Sequence, residues 1–252
     1  MKRYTLYAFS ALALLLAAAA CTQDDAGLLP EAPEGIPMTF TATGLNPTAA
    51  TTTGTRATVD GDWKGVTTVA IQIGNEVKAY RVNPSADNLT VTLSSDDPHY
   101  WTGGSSVTVS AWCPYTEGET SIPAVVVQAD QSGDGYAKSD HIGVAGEQLD
   151  YDGGTPTLAF THRTARIVVK VSGGTQTVSS VHLTNLSTDP NEIIAHDAGS
   201  GTYEALVAPQ SVTAGTAFIT ITTADGKTYV YRMKQDADWD AGVEYKYGIS
   251  IK

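Results

Sequence analysis

The chain has 252 residues and a formal net charge of −12. That length is enough for one large domain or two small ones. An acidic chain offers little to offset phosphate repulsion, which disfavours nucleic acid as a partner. Thr, Gly, Val and Ala dominate and favour strands and turns over helices.

Residues 1–20 read as an address. Lys2 and Arg3 make a basic start, and an apolar run follows over 6–20, broken by Tyr7 and Ser10. A spanning helix needs about 20 apolar residues, so this shorter run ending in alanines has the pattern of a cleaved secretory signal. Its end, "LLLAAAAC", resembles a bacterial lipobox, in which Cys21 becomes the acylated N-terminus; an ordinary signal peptide with a chance Cys is the alternative. Such a protein rests on a membrane without spanning it. Asp24 and Asp25 resemble the acidic surface-export signal of Bacteroidota lipoproteins. The following Pro-, Gly- and acid-rich tether is expected to lack fixed structure.

A first strand is expected over 37–45, where Met38, Phe40 and Ala42 alternate with Thr39, Thr41 and Thr43. The chain then loosens into Ala, Thr, Gly and Pro. Arg56 lies in this part, followed by Ala57, and is the only basic residue between Arg3 and Lys64. An extended, unpacked stretch with a single Arg is what a trypsin-type protease requires; a solvated loop with a chance Arg is the alternative.

Strands are then expected over 66–74 and 76–83, split by a Gly74-Asn75 turn, and over 88–94, 105–115 and 122–129. Residues 131–156 read as a loop. A second block is expected over 156–162, 165–173, 178–187, 201–212, 216–234 and 243–252, with a hairpin at 224–227. No stretch keeps helical periodicity for three turns. The whole predicts an all-β chain of two packed β-sandwiches: a signal over 1–20, a tether with the first strand over 21–58, and sandwiches over 59–154 and 155–252, jointed in the Gly-rich stretch 152–155.

The chain shows no positive sign of catalysis and calls for no cofactor. The five histidines, His99, His141, His162, His182 and His196, hold no zinc-ligand spacing, and GxSxG, SxxK and phosphate-loop motifs are missing. Cys113 lies in a strand pattern and reads as a small buried hydrophobe. Asp130, Ser132 and Asp134 alternate before Gly135 like the first half of a calcium loop. The twelfth position is His141, so Asp140 would have to supply the missing ligand; a polar surface loop is the alternative. Tyr100, Trp101, Trp112, Tyr115 and Trp239 would stack on sugars if one face exposed them, or would fill cores.

The lipobox, the early strand, "TRA" ahead of a Trp, "LAFTHRTARIVVKV", "YEALVAPQSVTAGTAFITITTADGKTYVY" and "WDAGVEYKYGISI" in this order resemble the fimbrillin-like proteins of Bacteroidales. The resemblance covers almost the whole mature chain. It implies two tandem transthyretin-like β-sandwich domains and a subunit of a type V pilus or related surface adhesin. It also implies travel as an outer-membrane lipoprotein, a cut after Arg56, and loss of the strand carrying Met38, Phe40 and Ala42. Another subunit's strand would fill the groove by β-strand addition. The family's stalk pilins carry a C-terminal donor extension, whereas this sequence reaches "YGISIK" straight after its last strand pattern, which implies a tip or accessory role. A surface ligand on host or bacterium is a further implied partner. A non-polymerising glycan-binding lipoprotein is the alternative reading, and a glycoside-active enzyme the third.

Overall fold

The computed structural model describes residues 35–45, 61–103 and 106–252. In chain order the first strands are β1 (Phe40–Thr43), β2 (Thr68–Ile73), β3 (Glu76–Pro84), β4 (Val91–Ser94), β5 (Ser106–Cys113), β6 (Ile142–Asp150), β7 (Thr157–Ala159) and β8 (Thr161–His162). The helix α1 (Gly135–Lys138) lies between β5 and β6. Then come β9 (Ala165–Ser172), β10 (Val178–Leu183), β11 (Ile193–Ile194), β12 (His196–Gly199), β13 (Thr202–Val207), β14 (Gln210–Val212), β15 (Ala217–Thr223), β16 (Thr228–Arg232), β17 (Ala237–Trp239) and β18 (Glu244–Ser250). The architecture is all-β, two tandem β-sandwiches, as the strand-and-turn pattern predicts.

The first sheet has eight strands in the order β7-β1-β4-β3-β2-β5-β6-β8. Its end strands β7 and β8 are consecutive in the chain, with Phe160 alone between them. The sheet must therefore curl until its margins meet. It encloses a core of Met38, Phe40, Trp63, Ile71, Tyr80, Leu93, Leu158 and Phe160, among others. Alternation drives this: in β4, Val91 and Leu93 are buried and Thr92 is exposed. The Gly74-Asn75 turn forms where expected, with Ile73 opposite Glu76 and Gly74 at φ 59°.

The second core lies between two four-stranded sheets, β11-β10-β15-β16 and β12-β13-β9-β18. β9 and β13 pair antiparallel, and β18 adds parallel to β9. The hairpin between β15 and β16 closes with the Thr223 N–H donating to the Lys227 carbonyl and Gly226 at φ 82°.

Three expectations need correction. Residues 122–129 form no strand; Val125 and Val127 instead pack into the second core. Residues 131–156 are not one loop, because they contain the nine-residue strand β6 and the helix α1. β6 hid because its middle is exposed and interrupted by Gly143 and Gly146, so it shows little apolar alternation. Gly143 is there for space: a Cβ would sit 2.8 Å from the Ala111 carbonyl oxygen. Finally, β7 and β8 lie beyond the joint expected at 152–155 yet complete the first sheet, and Leu158 and Phe160 belong to the first core.

The excursion between β5 and β6 reaches the second sandwich. Gln131, fully buried, donates to the Leu206 carbonyl at 2.8 Å and accepts from the Leu206 N–H at 2.9 Å. The Ile194 N–H donates to the Ala129 carbonyl. Tyr136 stacks on His196, with ring centroids 4.9 Å apart, and donates to Glu204 at 2.8 Å. Glu204 also receives Arg166 at 2.6 Å, so this half-buried carboxylate is shared by a guanidinium and a phenol.

Candidate functional site

The most unusual element is β1. Its lead-in is already paired: the Met38 N–H donates to the His99 carbonyl at 2.8 Å, and the Trp101 N–H to the Ile36 carbonyl at 2.9 Å. β1 then pairs antiparallel with β4, with Phe40 opposite Leu93 and Ala42 opposite Val91. On its other side it pairs parallel with β7, with Ala42 level with Leu158. β1 is therefore an interior strand, hydrogen-bonded on both margins. The Thr41 N–H donates to the Pro156 carbonyl, and the Phe160 N–H donates to the Thr43 carbonyl, each at 2.9 Å.

Met38, Phe40 and Ala42 all face the core and have essentially no exposed surface, while Thr39 is exposed. The Phe40 ring meets Tyr80 edge-on at 5.5 Å. Tyr80 is fixed in turn, since its hydroxyl accepts from the His99 N–H at 2.8 Å. Burial pushes the Tyr80 phenol up to about 12, so it stays neutral in any physiological setting. His99 lies stacked on Tyr80 at 6.2 Å, with Nε2 3.0 Å from the Ile71 carbonyl. Burial holds its imidazole below the ordinary value.

The strand leaves the sheet at Gly44, which has φ 99°. A Cβ there would lie 2.4 Å from the Phe160 carbonyl oxygen. Leu45 is again buried and lines a cavity of about 510 Å³ that Lys64, Cys113, Lys138, Asp140 and His162 also line. Asp140 bonds His162 Nδ1 at 2.6 Å, and His162 Nε2 has no hydrogen-bond partner among the described residues. Burial, and then Asp140, push the Cys113 thiol up to about 12, which keeps it protonated at neutral pH.

Cys21, Arg56 and Ala57 lie outside the described residues. The residues of the calcium half-loop do not converge. Asp130 accepts from the N–H and hydroxyl of Ser132, Asp140 is turned to His162, and Asp134 caps α1 without a side-chain hydrogen bond. Among the described residues no group of three His, Cys, Asp or Glu could hold a metal ion. The aromatic platform is not assembled either. Trp101, Trp112 and Trp239 are buried and only Tyr100 is well exposed, because the indoles of Trp112 and Trp239 turn inward to Glu119 and to the Tyr247 hydroxyl. Sequence reasoning missed β7, Gly44 and Phe160 as the second wall of the slot that holds β1. The alternation of Leu158 and Phe160 in "TLAFT" was the available signal, but it reads equally well as the start of the second block.

The profile of the family described as Fimbrillin-like matches residues 55–252, beginning after β1. No curated protein matches the chain significantly. Several solved structures are similar, three of them as follows. The first is a candidate cell adhesion protein of Bacteroides uniformis at 20% identity and TM-score 0.59, covering 86% of this chain and 94% of that one. A second is of Bacteroides ovatus at 15% identity and TM-score 0.55, covering 85% and 91%. A third is of Bacteroides fragilis at 12% identity and TM-score 0.54, covering 86% and 93%. With the family profile spanning most of its length, the chain belongs to the fimbrillin-like family.

Proposed function

We propose that this protein is a cell-surface structural or adhesive subunit that assembles with other fimbrial subunits by strand exchange at the slot of β1. It is delivered as a lipoprotein anchored at Cys21. Cleavage between Arg56 and Ala57 then frees β1, and a strand from another subunit replaces it. One observation carries this reading. β1 contributes Met38, Phe40 and Ala42 to the core and bonds on both margins, yet the family match begins only at residue 55. The part of the chain that matches the family thus leaves out the strand that completes this sheet, as a replaceable part would. A cut after Arg56 falls between β1 and β2 in the chain. It turns an intramolecular strand into a bound peptide and removes its high effective concentration.

Mild trypsin on the intact chain should give an early cut whose large fragment begins at Ala57. Arg56→Ala should remove that cut and block incorporation into surface filaments. If Lys64 is cut before Arg56, or if the variant assembles normally, the processing step is refuted. Cys21→Ala should abolish palmitate labelling; label that persists on the variant refutes the anchor.

A further inference from the structure

We propose that the slot between β4 and β7 selects its occupant by a pattern: large, any, large, any, small, any, Gly, running in the direction of β1. The inference rests on strand exchange at this slot and names the chemistry of the strand that can enter it. That strand is an extended segment of another polypeptide, read at alternate positions.

The first two positions are the wells of Met38 and Phe40, both closed to solvent. The second well ends on the edge-to-face contact with Tyr80, whose hydroxyl is tied to the His99 N–H. A branched or aromatic side chain fits here, and a polar one would lose its water. The third position is Ala42. It is fully buried, with Val91 level on one side and Leu158 level on the other. Both flanking side chains are themselves in the core, so a larger group at this point overpacks the interior.

The fourth position is the strictest. A Cβ at Gly44 would stand 2.4 Å from the Phe160 carbonyl oxygen and 3.0 Å from the Phe160 nitrogen, both main-chain atoms. Phe160 is poorly placed to give way. Its ring is fully buried and meets Trp63 at 5.0 Å, and its N–H is engaged by Thr43. Gly44 also has φ 99°, outside the range of L side chains. Direction follows from the walls, since β4 pairs antiparallel and β7 parallel to β1. A reversed strand would have to exchange both hydrogen-bond patterns at once.

The test uses the full chain carrying Phe40→Ala, cut by trypsin after Arg56 and cleared of its own weakened peptide by gel filtration, with fluorescein-labelled peptides of sequence IPMTFTATGLN and three variants: one with Leu for Ala42, one with Ala for Gly44, and one in reversed order. The parent peptide should enter and be retained. Each variant should bind at least about tenfold more weakly. If the peptides enter equally, the pattern is overturned while strand exchange stands. If none enters, exchange itself is overturned and the pattern with it. A second measurement needs no cut. In the intact chain, Gly44→Ala should speed hydrogen exchange across residues 38–45 by at least about tenfold relative to Gly35→Ala. Gly35 has a similar φ of 82° but open space around its Cβ position, so equal effects of the two substitutions overturn the close-contact argument.

Discussion

Phe40→Ala is the sharpest test of the idea that β1 is held by its side chains. Phe40 is fully buried, its ring packs edge-on to Tyr80 at 5.5 Å, and it stands opposite Leu93 in the ladder. Truncating a buried Phe to Ala costs about 3–5 kcal/mol, from lost transfer energy plus the cavity left behind. The main-chain bonds of β1 are untouched, so the loss falls on the grip of the strand alone. In the intact chain, urea denaturation should show the full loss in the first sandwich. In the tether-cut protein the same loss appears as release: about two to four orders of magnitude in affinity for the freed strand. Size-exclusion chromatography of cut Phe40→Ala should then yield a large fragment without its N-terminal peptide, whereas cut wild type retains it. Thr39→Ala, on the exposed side, serves as control and should lie within about 0.5 kcal/mol of wild type. A Phe40→Ala loss below about 1 kcal/mol, or a cut variant that keeps its peptide as firmly as wild type, would show that backbone pairing alone holds β1.

Gln131→Ala removes a buried amide that serves both main-chain groups of Leu206. Orphaning two buried groups costs about 1–3 kcal/mol each, and calorimetry should show the two sandwiches beginning to melt separately; a single unshifted transition refutes the coupling. A fragment of residues 155–252 lacks Val125, Val127 and Gln131, so it should bind a hydrophobic dye and melt without cooperativity; a sharply folded fragment argues otherwise. Burial holds His99 and His141 below the ordinary imidazole value of 6.5. The unfolded chain then binds more protons, so their stabilisation is complete above pH 6.5 and is lost as pH falls through the folded values. Urea midpoints should drop from pH 7 to pH 5, less steeply in His99→Gln, and equal slopes refute the assignment. Asp87 and Asp225, held low by Ser85 and Thr223, add their losses only in stronger acid, below their ordinary value of 3.8. Cys113 should resist thiol reagents at pH 8 in a Cys21→Ala background; rapid labelling contradicts its raised value.

Much of this fold is written locally. Met38, Phe40 and Ala42 announce a buried strand face by alternation alone, and the turns at Gly74-Asn75 and Asp225-Gly226 announce their hairpins by glycine. What escapes a local reading is partnership across long separations. That β1 lies between β4 and β7 depends on residues 157–159 returning to it, and no nearby residue reports this. The segment 122–129 has strand composition, but its valines are consumed by the second core and its main chain is left largely outside the sheets. β6 errs in the opposite direction: its pairing with β5 is set by close backbone approach at Gly143, which apolar alternation cannot reveal. Of the slot, the side chains of β1 were legible and its second wall was not. The aromatic residues left two readings open for a related reason, since a Trp in a small sandwich is as useful inside as outside.

The margins of the first sheet are joined by one residue, Phe160, between β7 and β8. The eight strands thus behave as a sprung clasp whose hinge is covalent. Withdrawing β1 cannot let β7 drift off, because β8 remains laced to β6 and holds it within a residue's reach. The gap therefore stays close to two inter-strand spacings, about 9.6 Å from β4 to β7. A newcomer meets a frame already set to its width and spends little free energy on ordering it. The fit then depends on the newcomer's own side chains, so under the proposed exchange incoming strands would be told apart by sequence while sharing one backbone geometry.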